Sequence, residues 1–142
     1  DDQDAFIGLS DQHLLSGHDV QRMAQDPIIF ALANPVPEIE PEEAAKAGAK
    51  VIATGSSQHP NQVNNILSFP GLFKGLLASG ITHVDAQLQL VVAKALASVV
   101  PTPTAEEVVP GVFNKQVVET VSQAVEDYAD DQDQQRELVT ED

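Results

Sequence analysis

The 142-residue chain reads as α/β: the second half of a doubly wound parallel sheet, about three strands, followed by carboxy-terminal helices. Three observations predict this. Pro27-Ile-Ile-Phe-Ala-Leu-Ala33 is a continuous apolar run, as expected for a strand covered on both faces. Two further short apolar runs, at residues 5 to 9 and 50 to 54, flank it in sequence. Eighteen residues separate the first run from Ile28 and 16 separate Ala33 from Lys50, each gap sufficient for one helix and two loops, which gives the order β-α-β-α-β. Parallel neighbours need such crossovers, and three strands with two crossovers make half of a Rossmann-type sheet.

Each element has its own signal. The first strand, Ala5-Phe-Ile-Gly-Leu9, ends at Gly8, Leu9 and Ser10, where small residues let a backbone approach a ligand. Asp19 to Gln25 has the polarity of a surface helix, with Val20, Met23 and Ala24 as its apolar edge. Asn34-Pro35 ends the second strand, and the segment to Pro41 is too proline-rich to be helical. Pro41 to Ala47 forms a short helix with proline in its first turn and Glu42 and Glu43 near its positive end. Gly48 stops it, and Lys50 to Thr54 is the third strand.

Beyond Gly55 the pattern turns helical. Pro60 suits a first turn, Val63, Ile66 and Leu67 share a face, and Pro70 predicts a kink before Leu72, Phe73, Leu76 and Leu77 carry the face on to Gly80. Thr82-His-Val-Asp85 resembles a capping box with Asp in place of Glu. Val84, Leu88, Val91, Ala95 and Val99 mark the next stripe, which Pro101 and Pro103 end. A last helix is predicted over about residues 112 to 128, with Val117, Val121, Ala124 and Tyr128 inward. The acidic, Gln-rich stretch 130–142 is expected to fray. The domain division expected is therefore 1–80 for the sheet and its following helix, 81–129 for packing helices, and 130–142 for a disordered tail.

Composition bounds the function. Apolar residues make up 42% of the chain and aromatics 4%, so the core rests on Val, Leu, Ile and Ala. Cysteine is absent, which removes disulfides and thiolate chemistry. No run is long enough to span a bilayer and no signal peptide opens the chain; a cytoplasmic protein is expected. Twenty-two acidic against seven basic residues give a net charge of −15. That surface repels nucleic acid and anionic membranes. It reads as a solubilising surface, with adaptation to high salt as the alternative.

In open α/β sheets, ligands bind beyond the carboxyl ends of the strands. Three segments lie there: Gly8-Leu9-Ser10, Asn34-Pro35, and Thr54 to Asn65. An Asn side chain offers a donor and an acceptor without charge, suited to a carboxamide, a hydroxyl or a carboxylate. A helix start adds free N–H groups that favour an anion. The bland alternatives are that Asn34 merely turns the chain, and that one of Asn64 and Asn65 caps a helix while the other faces water. His13, His18, His59 and His83 lack the spacing of a metal site on one helix face. His59, nearest these segments, reads as a plain loop histidine.

Four strings occur in order: Phe6-Ile-Gly-Leu-Ser10, Pro27-Ile-Ile-Phe-Ala-Leu-Ala-Asn-Pro-Val-Pro-Glu-Ile39, Ala53-Thr-Gly55 and Pro60-Asn-Gln-Val-Asn-Asn-Ile-Leu-Ser-Phe-Pro-Gly71. With these strings, the chain resembles the carboxy-terminal part of bacterial malic enzymes, through at least residue 100. The resemblance implies oxidation of malate with NAD or NADP and decarboxylation to pyruvate, with Mg²⁺ or Mn²⁺ as Lewis acid. It implies that Gly8, Leu9 and Ser10 line the cofactor. Asn34 would lie by the nicotinamide and the substrate, and Asn64 and Asn65 would be the pair from which malate and nicotinamide contacts come. Ser56 stands where many members of that family carry a basic residue.

The same resemblance implies what is missing. The family's catalytic Tyr and Lys, its metal carboxylates and its Gly-rich phosphate turn lie amino-terminal to the matched region. The eight glycines form no G-x-G-x-x-G string, and the single tyrosine, Tyr128, lies at the wrong end. No catalytic residue and no metal ligand is therefore expected on this chain. It is expected to be a fragment, inactive alone, and to need its amino-terminal portion or to form a homo-oligomer, because half a sheet leaves one edge and one face bare. The competing reading is a non-catalytic assembly or regulatory module that keeps the fold. NAD is not separable from NADP, because the deciding residue follows a strand absent here.

Overall fold

A computed structural model describes residues 1–140, the last six by their backbone alone. The elements are β1 (Ala5–Gly8), α1 (Gly17–Gln21), β2 (Ile28–Ala31), α2 (Pro41–Lys46), β3 (Val51–Thr54), a 3₁₀ turn (Asn65–Leu67), α3 (Phe69–Ser79), α4 (Ala86–Ser98) and α5 (Lys115–Thr140). They divide into two compact units. The first holds residues 1–64 and 102–109, the second residues 65–101 and 110–142. The division falls at Asn64/Asn65 rather than at the 80/81 boundary drawn from the sequence.

In the first unit the three strands form one parallel sheet in the order β1-β2-β3, as the β-α-β-α-β spacing requires. Register aligns Phe6, Ile29 and Ile52 across one face. Fully buried Ile29 and Ala31 pack there with Val20 of α1, Ala44 of α2 and Ile39. On the other face Ile7 is 65% and Ile28 40% exposed. The apolar run of β2 predicted cover on both faces, but only one face has helices from this unit.

Local chemistry sets the crossover helices. Ser16 caps α1, which spans Gly17–Gln21 rather than the expected Asp19 to Gln25. Its hydroxyl accepts from the Asp19 N–H at 3.3 Å, and the Asp19 carboxylate accepts from the Ser16 N–H at 3.1 Å, a reciprocal box that starts the helix early. Pro41 opens α2 and Glu42 and Glu43 occupy its first turn, as read from the sequence.

The second unit is helical. Pro70 stands in the first turn of α3 instead of kinking a longer helix, so it removes no helical hydrogen bond. Gly80, at φ 72°, closes that helix in the left-handed conformation. Asp85 itself caps α4, accepting from the Leu88 N–H at 2.8 Å; the box starting at Thr82 is one turn too early. Leu88, Val92 and Ala95 of α4 form a core with Val117, Val121 and Val125 of α5. Ala124 and Tyr128 sit at the margin of that core rather than in it. The helix α5 continues through Thr140, past the expected fraying point, over Gln, Glu, Arg and Leu residues that favour helix. Residues 141 and 142 lie outside the described residues. Among the described residues, no helix is long and apolar enough to cross a membrane.

Candidate functional site

Parallel pairing in register puts Gly8, Ala31 and Thr54 side by side at the carboxyl end of the sheet. The three segments that leave this row carry the residues read as a ligand site.

At the β1 exit, Gly8 is buried, whereas Leu9 is 76% exposed and Ser10 is exposed. The Leu32 N–H donates to the Gly8 carbonyl at 3.0 Å, extending the pairing one step beyond the strands. Glu38, fully buried, lies against Gly8. Its Oε1 accepts from the Ser10 N–H at 3.3 Å and its Oε2 from the Ala33 N–H at 3.0 Å. Its carbonyl oxygen accepts from the Leu15 N–H at 3.0 Å. A Cβ on residue 8 would collide with the Glu38 carboxylate. The room that Gly8 leaves, expected to admit a ligand, is taken by that carboxylate.

At the β2 exit, Asn34 follows Ala33 directly and is exposed; its peptide bond to Pro35 is cis. At the β3 exit, the chain loops out and returns. The Thr54 N–H donates to the Asn61 carbonyl at 3.3 Å, and the Val63 N–H donates to the Thr54 carbonyl at 2.8 Å. Gln62 thereby pairs with Thr54 as a short parallel bridge. Ser56 helps shape the loop, its hydroxyl accepting from the Gln58 N–H at 3.2 Å. Asn64, exposed, is the last residue of this part of the first unit.

Leu9, Ser10, Asn34 and Asn64 therefore all leave the same end of one sheet and are all exposed. Asn65, also exposed, opens the 3₁₀ turn and belongs to the second unit. The four exposed side chains at the sheet end are uncharged: one alkyl group, one hydroxyl and two carboxamides. That set can hold a flat neutral amide or a hydroxyl and leaves the Ser10 amide committed to Glu38. Among the described residues, no cluster of three or more His, Cys, Asp or Glu could hold a metal ion. The His59 Nδ1 lies 4.0 Å from Glu42 Oε1 of α2, so its charged neighbour is in the fold.

Two residues of this region escaped the sequence reading. Glu38 sits in a proline-rich stretch where a carboxylate reads as solvated, and its partners lie on two different strand exits, five and 28 residues away. Asn61 lies inside a recognised string but is buried. Its Nδ2 donates to the carbonyls of Ile52 at 3.1 Å and Ala105 at 2.8 Å, and its Oδ1 accepts from the Val108 N–H at 2.7 Å. Every hydrogen-bonding position of its amide that these partners reach is structural.

Comparison with known proteins agrees with this fold. The family described as malic enzyme, NAD-binding domain, matches residues 3–130. The chain is 48% identical over 126 residues to the bifunctional malic/malolactic enzyme of Bacillus subtilis (strain 168), covering 87% of this chain and 31% of that protein. It is 49% identical over 124 residues to the NAD-dependent malic enzyme of Geobacillus stearothermophilus, covering 86% and 26%. The crystal structure of malic enzyme from Pyrococcus horikoshii Ot3 superposes with a TM-score of 0.87 at 40% identity, over 92% of this chain and 31% of that one. NADP-dependent malic enzymes are among the relatives as well. The chain thus spans about a third or less of the length of the relatives it matches. With its parallel sheet and its match over residues 3–130, it belongs to the malic enzyme NAD-binding domain family.

Proposed function

We propose that this chain is the cofactor- and malate-contacting carboxy-terminal portion of a malic enzyme, which oxidises malate with NAD or NADP and releases pyruvate and CO₂. The observation that carries the reading is the convergence of exposed Leu9, Ser10, Asn34 and Asn64 on one carboxyl end of a parallel sheet, the place where such sheets take ligands. In this reading Leu9 and Ser10 line the cofactor with Gly8 behind them, packed on Glu38, Asn34 meets nicotinamide and substrate, and Asn64 and Asn65 contact malate and nicotinamide. When bound, the nicotinamide accepts the hydride that malate loses.

The contribution of the chain is binding and orientation. Carboxamides can donate to a carboxylate or hydroxyl and accept from an amide without adding charge, and Leu9 offers an apolar surface to a flat ring. The Ser10 and Ala33 N–H groups donate to Glu38, so they do not serve as an anion cradle; the diphosphate of the cofactor falls to a Gly-rich turn elsewhere. The described residues do not fit a divalent metal, and the reading assigns the Mg²⁺ or Mn²⁺ ligands and the acid–base groups to the remaining portion of the enzyme. The chain alone is then inactive. The open edge of β1 and the exposed Ile7 and Ile28 support a surface completed by that portion.

The test is malate-dependent reduction of NAD and of NADP with Mn²⁺, with the amino-terminal portion absent or supplied. Turnover only when both portions are present supports the reading. A folded assembly that binds neither cofactor and turns over no malate would return the chain to a non-catalytic assembly or regulatory module.

A further inference from the structure

We propose that Glu38 is a positioning residue: one buried carboxylate clamps the β1 and β2 exits together and thereby sets the placement of Asn34. The inference rests on the reading that Asn34 contacts substrate and nicotinamide. Three independent features point to Glu38. It is fully buried, yet a carboxylate favours water, so its burial must be supported by specific partners. Its two oxygens accept from backbone N–H groups of different loops, Ser10 on one side and Ala33 on the other. Residue 8 is glycine at the one point where a methyl group would displace the carboxylate.

The geometry makes the clamp directional. Ala33 is covalently next to Asn34, so fixing the Ala33 N–H fixes the backbone from which the Asn34 side chain projects. Ser10 is fixed by the other oxygen of the same group, so both exits move together or not at all. The main chain of Glu38 is itself anchored through its carbonyl to the Leu15 N–H, and the neighbouring Pro37 carbonyl accepts from the His13 N–H at 3.1 Å. A carboxamide in place of the Glu38 carboxylate could accept through only one of its two heavy atoms.

The experiment is a double-mutant cycle in the assembled enzyme, this chain with its amino-terminal portion, using Glu38→Gln and Asn34→Ala. Misplacing a substrate-orienting group by about an ångström can cost on the order of a hundredfold in rate. Glu38→Gln is expected to lower kcat/KM for malate about tenfold to a hundredfold. In the Asn34→Ala background it is expected to have almost no further effect, because the group it positions is gone. A full additional loss there means that Glu38 acts independently of Asn34 and overturns the clamp. Loss of stability with unchanged kcat/KM per folded enzyme also overturns it, leaving a purely structural carboxylate. If Asn34→Ala is itself silent, the reading of Asn34 fails and the clamp fails with it; if only Glu38→Gln is silent, the reading of Asn34 stands alone. Should Glu38→Gln not fold, amide hydrogen exchange of the unaltered enzyme decides. Slow exchange at both Ser10 and Ala33 is expected, and fast exchange at either one refutes the clamp.

Discussion

Gly71 of α3 lies directly beneath Val121 of α5: a Cβ on Gly71 would stand 2.7 Å from the Val121 Cβ and 2.9 Å from the Val118 carbonyl oxygen. One turn later the relationship repeats, with Gly75 and Val125 at 2.5 Å and the Ser122 carbonyl oxygen at 2.8 Å. Two glycines four residues apart thus form a groove for two valines four residues apart. Glycine is otherwise costly inside a helix, so its presence at both positions reports the close approach of backbones. Alanine at either site improves helix propensity by about 1 kcal/mol, but overpacking a close contact costs about 1–3 kcal/mol. Gly75→Ala should therefore lower the urea midpoint, and Gly71→Ala likewise. A stabilised Gly75→Ala variant would show that the helices separate at low cost.

Asn61 should be more sensitive than any of the exposed asparagines. Asn61→Ala strands the Ile52 and Ala105 carbonyls and the Val108 N–H, and it places alanine at φ 56°. At about 1 kcal/mol for each lost hydrogen bond, the expected loss is roughly 2–4 kcal/mol by denaturant titration. Asn61→Asp should be worse at neutral pH, because a carboxylate oxygen would then face two carbonyls. An alanine variant within experimental error of the parent would mean that the loop holds without this amide.

Asp85 gives the second unit an acid-sensitive cap. The Leu88 N–H hydrogen bond holds its carboxyl below the usual range, the Tyr128 hydroxyl adds to this from 3.2 Å, and some loss of hydration opposes both. A depressed folded-state pKa means that the fold favours the ionised form. The resulting stability is present above the ordinary Asp value of about 3.9 and is lost as the pH falls toward the lower folded value. Asp85→Asn keeps a capping acceptor but no longer titrates, so it should flatten the acid limb of melting temperature against pH. Asp85→Ala should lower the melting temperature at neutral pH as well. An acid limb unchanged in Asp85→Asn would assign that limb to other carboxylates, among them Asp19, whose pKa is lowered by Ser16 in the same manner.

Salt should stabilise this chain. Its net charge is −15, and the ion pairs Arg22–Asp1 and Lys74–Glu119, at 2.7 and 2.6 Å, are largely exposed and contribute little each. Raising ionic strength from about 0.1 M to about 1 M shortens the screening length from about 10 Å to about 3 Å and relieves the mutual repulsion of the carboxylates. A higher melting temperature in molar salt is expected by calorimetry. No gain would rule out adaptation to high salt and leave solubility as the role of the charge.

The sheet was legible because its signals are local and redundant. Apolar runs at Phe6, Ile29 and Ile52, with gaps sized for crossovers, admit one topology, and the exits of those strands give the candidate site by rule. The helical region was harder. Proline at 70 is compatible with a kink or a first turn, and only the fold around Asn61, which prevents helix between Pro60 and Asn64, decides for the first turn. Along α5 an average period of 3.6 points to Val117 and Val121, which are in the core, and then to Ala124 and Tyr128, whereas the glycine groove of α3 selects Val125 after Val121. Glu38 was illegible for a different reason: its burial depends on N–H groups 28 and five residues away, and nothing near it in sequence announces them.

The tie between Asn61 and the segment 102–109 also orders events during synthesis. Ala105 and Val108 emerge 44 and 47 residues after Asn61. On the ribosome, the first unit must wait with an unfilled buried amide while the whole stretch from Asn65 to Pro101 is translated. A nascent chain or truncation ending before residue 102 would carry all three strands and still lack two of the three partners of Asn61. Completion of the Asn61 hydrogen bonds, and so of the loop that follows β3, is therefore coupled to translation of a later stretch.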